Sequence, residues 1–205
     1  MAATRTGITA SAGATTETEF SSAAQRERRQ RILDATLALA SKGGYEAVQM
    51  RAEADHAGVA LGTLYRYFPS KIHLLVSGLA REFERNQEKL DRTPIPGDTP
   101  YDRMLFVLGR ITRTMQREPM LTEAMTRAFM FADPSAAAEV NTVARLMEHM
   151  LTSAMHDGEP SADEIAIARI IGDVWLSALV AWVTRRASAN DVSNQLELAA
   201  RLLLR

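Results

Sequence analysis

The sequence predicts an all-α fold of about nine helices, on three observations. Apolar residues recur at spacings of three and four along most of the chain. Proline, glycine and Ser/Thr caps cut it into helix-sized segments. No alternating strand pattern and no internal repeat interrupts them. With 205 residues, 46% hydrophobic and 24% charged, the chain has enough apolar material for a real core, which excludes wholesale disorder.

The elements follow in order. Residues 1–22 are rich in Ala, Thr, Ser and Gly without an apolar face, and read as a disordered leader. From Ala23 to Lys42 the apolar set Ile32, Leu33, Leu37, Leu39 and Ala40 has helical spacing, and Gly43-Gly44 stops the helix. Two short helices fit residues 49–56 and 60–67 across Gly58. Pro69-Ser70 breaks the chain, and Ile72, Val76, Leu79 and Phe83 mark one face of a longer helix to about residue 90. DRTPIPGDTP (91–100) is a linker with three prolines and one glycine. Thr99-Pro100 reads as an N-cap with proline at the first helical position. Glu118-Pro119 and Asp133-Pro134 mark two more helix starts, and Ser161 to Glu164 is a capping box. The helix behind that box carries Ile167, Ile171, Val174, Trp175, Ala178 and Trp182 on a broad face, and a last helix from about 189 bears Val192, Leu196, Ala199 and Leu203.

Composition removes several function classes. With no cysteine, disulfides, Cys-ligated zinc, iron–sulfur clusters and thiol nucleophiles drop out. No run approaches 18 uninterrupted apolar residues, and the first twenty residues contain no apolar signal region. The reading is a soluble intracellular protein with no membrane partner. The histidines are His56, His73, His149 and His156, without a third ligand at metal spacing, so no metal site is expected. HExxH, GxSxG and GxxxxGK[ST] are absent, so no enzyme activity and no cofactor are expected.

The net charge of −1 conceals an asymmetry. Residues 24–72 hold eight basic and five acidic side chains, whereas residues 73–205 hold 15 basic and 18 acidic ones. A basic N-terminal block on an acidic body suits contact with a polyanion at one end. Within that block two short helices joined at Gly58 make a helix-turn-helix, whose second helix can enter a DNA major groove. Ala54, Ala57 and Val59 are small enough for the two helices to cross closely. Leu61, Gly62 and Thr63 open the second helix with little bulk, which lets its backbone approach base edges. Tyr65, Tyr67 and Lys71 can reach phosphate oxygens from the flank.

At GVALGTLYRYFPSK (58–71) the sequence resembles the TetR family of bacterial one-component regulators. Gly44-Tyr45 and Met50-Arg51 fall into the same pattern. Three positions depart from it: Val48 stands for a common Thr cap, Glu53 for a common core Ile and Ala60 for a common Ser cap. The resemblance implies double-stranded operator DNA as partner, with Arg51 near the bases and Gly62 and Thr63 against the groove. Leu61 would meet a thymine methyl group, and Gln49, Tyr65, Tyr67 and Lys71 would meet phosphates. Arg26, Arg28, Arg29 and Arg31 could extend over the neighbouring backbone. It divides the chain into a reader over 23–72 and a ligand-binding and dimerisation domain over 73–205.

That body holds eight of the ten methionines, with Phe106, Phe129, Phe131, Trp175 and Trp182. Methionine suits both a cavity for a large apolar ligand and an ordinary irregular core, and composition leaves both open. The resemblance implies an effector pocket, for which Met125, Phe129, Met147, Trp175 and Trp182 are the candidate lining. It also implies a homodimer through the last two helices, with Val180, Val183 and Leu196 as candidate seam residues. AQRERRQRILDATLALASKGGYEAVQMRA and MLTEAMTRAFMFADPSAAAEV are similar to the members that repress cholesterol and sterol catabolism. So is DVWLSALVAWVTRRASANDVS. This implies a hydrophobic inducer, a CoA thioester of a sterol-ring intermediate such as 3-oxo-cholestenoyl-CoA. Arg110, Arg113, Arg117 and Arg127 are its candidate phosphate partners. A regulator answering to a fatty acyl-CoA or a drug-like hydrophobe is one alternative, and a lipid-binding interaction protein is another.

Overall fold

A computed structural model describes the backbone of residues 12–204 and the side chains of residues 23–204. The expected leader falls on residues 1–11, outside the described residues, and on the first turns of α1, whose side chains are outside them too. Helix α1 spans Ala12–Ala47, but Gly43 and Gly44 leave helical geometry. Gly44, at φ 65° and ψ −158°, adopts a conformation that only glycine enters freely, so the break expected from the Gly-Gly pair is present. Then come α2 (Met50–Ala57), α3 (Leu61–Tyr67), α4 (Lys71–Asp91), α5 (Pro100–Arg117) and α6 (Pro119–Met130). A single 3-10 turn at Pro134–Ala136 leads into α7 (Ala137–Met155), α8 (Ala162–Val183) and α9 (Ala189–Leu203). Among the described residues there are nine α-helices and no strand.

The caps explain most of the boundaries. Thr99 accepts from the Asp102 N–H while the Asp102 carboxylate accepts from the Thr99 N–H, and Pro100 stands at the first helical position. Ser161 and Glu164 make the same reciprocal pair at α8. A third capping box, Ser188 with Asp191, starts α9. Hydrogen bonds from Ser161 and Ser188 hold the Glu164 and Asp191 carboxyls below their usual values. Val48 does not stand at a cap position: Gln49 is the N-cap of α2, and Val48 is fully buried in the core.

Two cores form. The smaller joins Ile32, Leu33 and Ala35 of α1 to Ala54 and Ala57 of α2, Leu64 of α3, Phe68, and Leu74 of α4. The larger takes Leu75, Val76, Leu79, Phe83 and Leu90 of the same α4 with residues of α5 to α9. A boundary at residues 72/73 therefore falls inside one rod of 21 residues, about 31 Å long. Arg81 of α4, also buried, donates to the Gln30 carbonyl at 3.1 Å and pairs with Asp34, tying α4 to α1. His73 bridges Ser70 Oγ at 2.9 Å and the Ser135 carbonyl at 3.1 Å, and to that carbonyl its Nε2–H donates.

Helix α8 is long and apolar enough to cross a membrane by length and composition, which the sequence reading did not expect. Only a third of its most apolar eighteen residues are buried within one chain. Ile170 is half exposed in the single protomer, and Ile167, Val174 and Trp182 are only partly buried against the core. Leu198 and Leu202 of α9 are uncovered as well, at 45% and 69% exposure.

Candidate DNA-binding surface and ligand cavity

Gly58 ends α2 in the left-handed region, at φ 65° and ψ 41°, and its successor Val59 donates to the Ala54 carbonyl at 3.0 Å. This turn sets α3 across α2, with Leu64 alone buried from α3. Leu61, Gly62 and Tyr65 are exposed on α3, with Thr63 and Tyr67 half-buried. Gln49 and Arg51, at the start of α2, are exposed too. Gly62 is informative because a methyl group at its Cα would meet nothing within 4 Å. Glycine in a helix costs about 1 kcal/mol relative to alanine, and no packing inside the protein requires it here.

The structure places Lys71 differently from a free surface lysine. Its Nζ lies 3.8 Å from the centroid of the Tyr45 ring. Burial lowers its pKa, Arg127 acts in the same direction, and Glu46 and Glu123 oppose both. Of the N-terminal arginines, Arg26, Arg29 and Arg31 are exposed, and the Arg29 guanidinium also stands 5.2 Å from the Phe68 ring.

The five candidate cavity residues separate. Phe129, Met147 and Trp175 line one apolar cavity of about 150 Å³, together with Leu79, Phe83, Met115 and Thr126. Met125 lines a smaller neighbouring space of about 70 Å³ that shares Leu79, Phe83 and Met115. Trp182 packs half-buried against the core and does not line the cavity. Seven residues put Trp175 and Trp182 on one helix face, but two turns apart along the axis, beyond the cavity's reach. Trp175 meets Phe83 edge-on at 6.0 Å, and its buried indole Nε1 has no hydrogen-bond partner among the described residues. Because Leu79 and Phe83 belong to α4, the helix that opens with Lys71 also forms a wall of the cavity.

None of Arg110, Arg113, Arg117 and Arg127 lines that cavity. Arg127 is already engaged, 2.9 Å from Glu46 and 3.7 Å from Glu123. An open groove between α7 and α8 shares Ala144, Met147 and Asp173 with the cavity and carries Arg145 and Arg169, the latter 2.8 Å from Glu148 in the same groove. Sequence reasoning missed these two arginines because only packing shows which helix faces adjoin the cavity. Leu196 is a second correction: at 3% exposure it belongs to the protomer's own core and not to an outer face, whereas Val183 is half-buried. Among the described residues, no group of three or more His, Asp or Glu side chains could hold a metal.

Comparison with known proteins adds three kinds of likeness. Residues 32–77 match the family described as "Bacterial regulatory proteins, tetR family", and residues 97–203 match "Tetracyclin repressor-like, C-terminal domain". The HTH-type transcriptional repressor KstR of Mycolicibacterium smegmatis is 66% identical over 188 residues, 92% of either chain. The structure of a TetR transcriptional regulator from Rhodococcus sp. RHA1 superposes with a TM-score of 0.82 at 31% identity, covering 88% of this chain and 97% of that one. Thermus thermophilus FadR, described as a repressor of the same family in complex with lauroyl-CoA, shares the fold at a TM-score of 0.67 and 22% identity. It covers 86% of this chain and 93% of its own.

Proposed function

The chain belongs to the TetR family of bacterial regulatory proteins, and from that premise we propose that it is a homodimeric transcriptional repressor of sterol-catabolism genes, released from operator DNA by a sterol-derived CoA thioester. The observation that carries DNA reading is the exposed face of α3, where Gly62 spends helix stability on space that the protein itself does not use. With its partner's copy about 34 Å away, α3 enters successive major grooves. Arg51, Leu61, Gly62 and Thr63 face base edges, and Gln49, Tyr65, Tyr67 and Lys71 hold phosphates. The protein acts as a DNA-binding regulator and not as an enzyme.

Release follows from α4. An apolar ring system enters between Phe129, Met147 and Trp175, and at about 150 Å³ the cavity must widen to take it. Methionines 115 and 147 yield most readily, since their thioether chains are unbranched. Leu79 and Phe83 then move with α4, and Lys71 at its start moves with them. The CoA head lies in the adjoining groove beside Arg145, and beside Arg169 once a phosphate displaces Glu148 from it. Ligand and operator thereby favour different separations of the two α3 helices, with a coupling of about 1–3 kcal/mol.

The test titrates a pre-formed protein–operator complex with 3-oxo-cholestenoyl-CoA, the free sterol acid, palmitoyl-CoA and CoA alone. The sterol thioester is expected to release DNA at the lowest concentration. Release by palmitoyl-CoA at an equal or lower concentration would assign the protein to fatty acyl thioesters, the ligand class that the Thermus thermophilus FadR structure holds.

Dimerisation has its own support in the uncovered apolar stripe of α8 and α9. Leu202→Glu with Ile170→Glu is expected to yield monomers in sedimentation, because a charge buried in an apolar seam costs several kcal/mol. An intact dimer would move the seam to another face.

A further inference from the structure

Tyr45 lies in the turn after the Gly43–Gly44 break, ahead of the helix-turn-helix. Two cations share its ring, Lys71 Nζ at 3.8 Å and Arg127 Cζ at 4.2 Å from the centroid. The Tyr45 N–H donates to Glu123 Oε2 at 3.1 Å, and Arg127 pairs with Glu46 at 2.9 Å and Glu123 at 3.7 Å. Glu123 and Arg127 both belong to α6, a helix of twelve residues whose Thr126 and Phe129 line the ligand cavity. One short rod therefore touches the cavity wall and the place where Lys71 rests.

We infer that Tyr45 and Arg127 are positioning residues for DNA binding: the Tyr45 ring seats the Lys71 ammonium, and Arg127 occupies Glu46 and Glu123 so that Lys71 stays free for a phosphate. The inference rests on Lys71 as a phosphate contact. An unseated lysine loses much rotamer entropy when DNA fixes it, whereas a ring seat restricts it beforehand. Lys71 remains partly exposed, so it is not sealed in the core. Without Arg127, two carboxylates beside Lys71 would compete with the DNA backbone for its charge. Because α6 moves as one body, displacing Phe129 also displaces Arg127, which gives the cavity a route to Lys71 besides α4.

The experiment is a pair of double-mutant cycles on the full chain, reading operator affinity against salt. Lys71→Ala is expected to flatten the salt slope of log K by about 0.9. Tyr45→Leu and Arg127→Gln are each expected to weaken binding about two- to five-fold, but not in the Lys71→Ala background. Tyr45→Phe keeps the ring and is expected to restore most of the affinity lost in Tyr45→Leu. Arg127 is partly exposed, so Arg127→Gln keeps the test usable if Tyr45→Leu unfolds. Full additivity with Lys71→Ala would overturn the inference while leaving Lys71 a phosphate contact. An unchanged slope for Lys71→Ala itself would remove Lys71 from the DNA surface, and the inference with it.

Discussion

Replacing Glu53 by leucine is expected to stabilise the protein by about 2 kcal/mol at pH 8 and by much less at pH 5. Glu53 stands where an apolar residue would pack, fully buried in α2, and its Oε2 has no hydrogen-bond partner among the described residues. Its Oε1 lies 2.9 Å from Thr36 Oγ1, which also lies 2.9 Å from the Ile32 carbonyl. The hydroxyl has one proton, and the carbonyl can only accept it. That proton is therefore shared between the Ile32 carbonyl and Glu53 Oε1, which leaves the carboxylate poorly solvated by the protein. Burial pushes the carboxyl up to about 7 from 4.5, against the smaller opposing effect of the Thr36 bond.

The direction of the pH effect follows from proton binding. Below pH 4.5 folded and unfolded chains both hold the proton, and no penalty arises. Between 4.5 and about 7 the unfolded chain ionises first, so stability falls as pH rises, and it levels off above about 7. The full linkage would be somewhat larger, but water reaching the ionised carboxylate relieves part of it. Urea unfolding of both proteins at pH 5 and pH 8 isolates Glu53 as the difference between them. Equal differences at the two pH values would show that this carboxyl does not change charge in the range.

Gly172→Leu is expected to abolish release by the CoA thioester while operator binding persists. Gly172 lies in the cavity wall on α8, and a Cβ there would meet only the flexible end of Met147, 2.9 Å from Cε. The larger side chain takes the space that the ring system needs, and losing glycine from a helix interior offsets part of the packing strain. A coupling of 1–3 kcal/mol would vanish, about a five- to 150-fold change in the ligand's effect on DNA affinity. Release at the wild-type concentration would place the ligand outside this cavity. Trp175→Ala makes the opposite change: it empties a site 1% exposed and should cost about 3–5 kcal/mol in unfolding.

Much of the architecture was legible because its signals are local. Gly43-Gly44, Gly58, Thr99-Pro100 and Ser161 to Glu164 each act within four residues of the break or cap they specify. Ser188 with Asp191 has the same spacing and could have been found as the third capping box. The exposed set on α2 and α3 was legible too, since Gly58 ties its placement to a short stretch of chain.

Misreadings concern contacts between distant segments. Leu196 and Leu202 are both apolar residues of α9, but α5 and α8 cover the first and leave the second exposed. Trp175 and Trp182 share a face, and only the depth of each along α8 decides which one meets Phe83. Arg127 looked like a free cation for a ligand until Glu46, 81 positions away, came to lie beside it.

By itself, then, the sequence determined the order of the helices, most of their ends, the helix-turn-helix and the family, because backbone hydrogen bonding and capping depend on neighbours a few residues apart. Only the tertiary structure decided which apolar faces are spent inside the protomer and which arginines adjoin the cavity. It also decided that Tyr45 lies against Lys71 and Arg127. Those outcomes depend on the rotation of each helix against its partners, and a helix with apolar residues on several sides fits more than one rotation until packing selects among them.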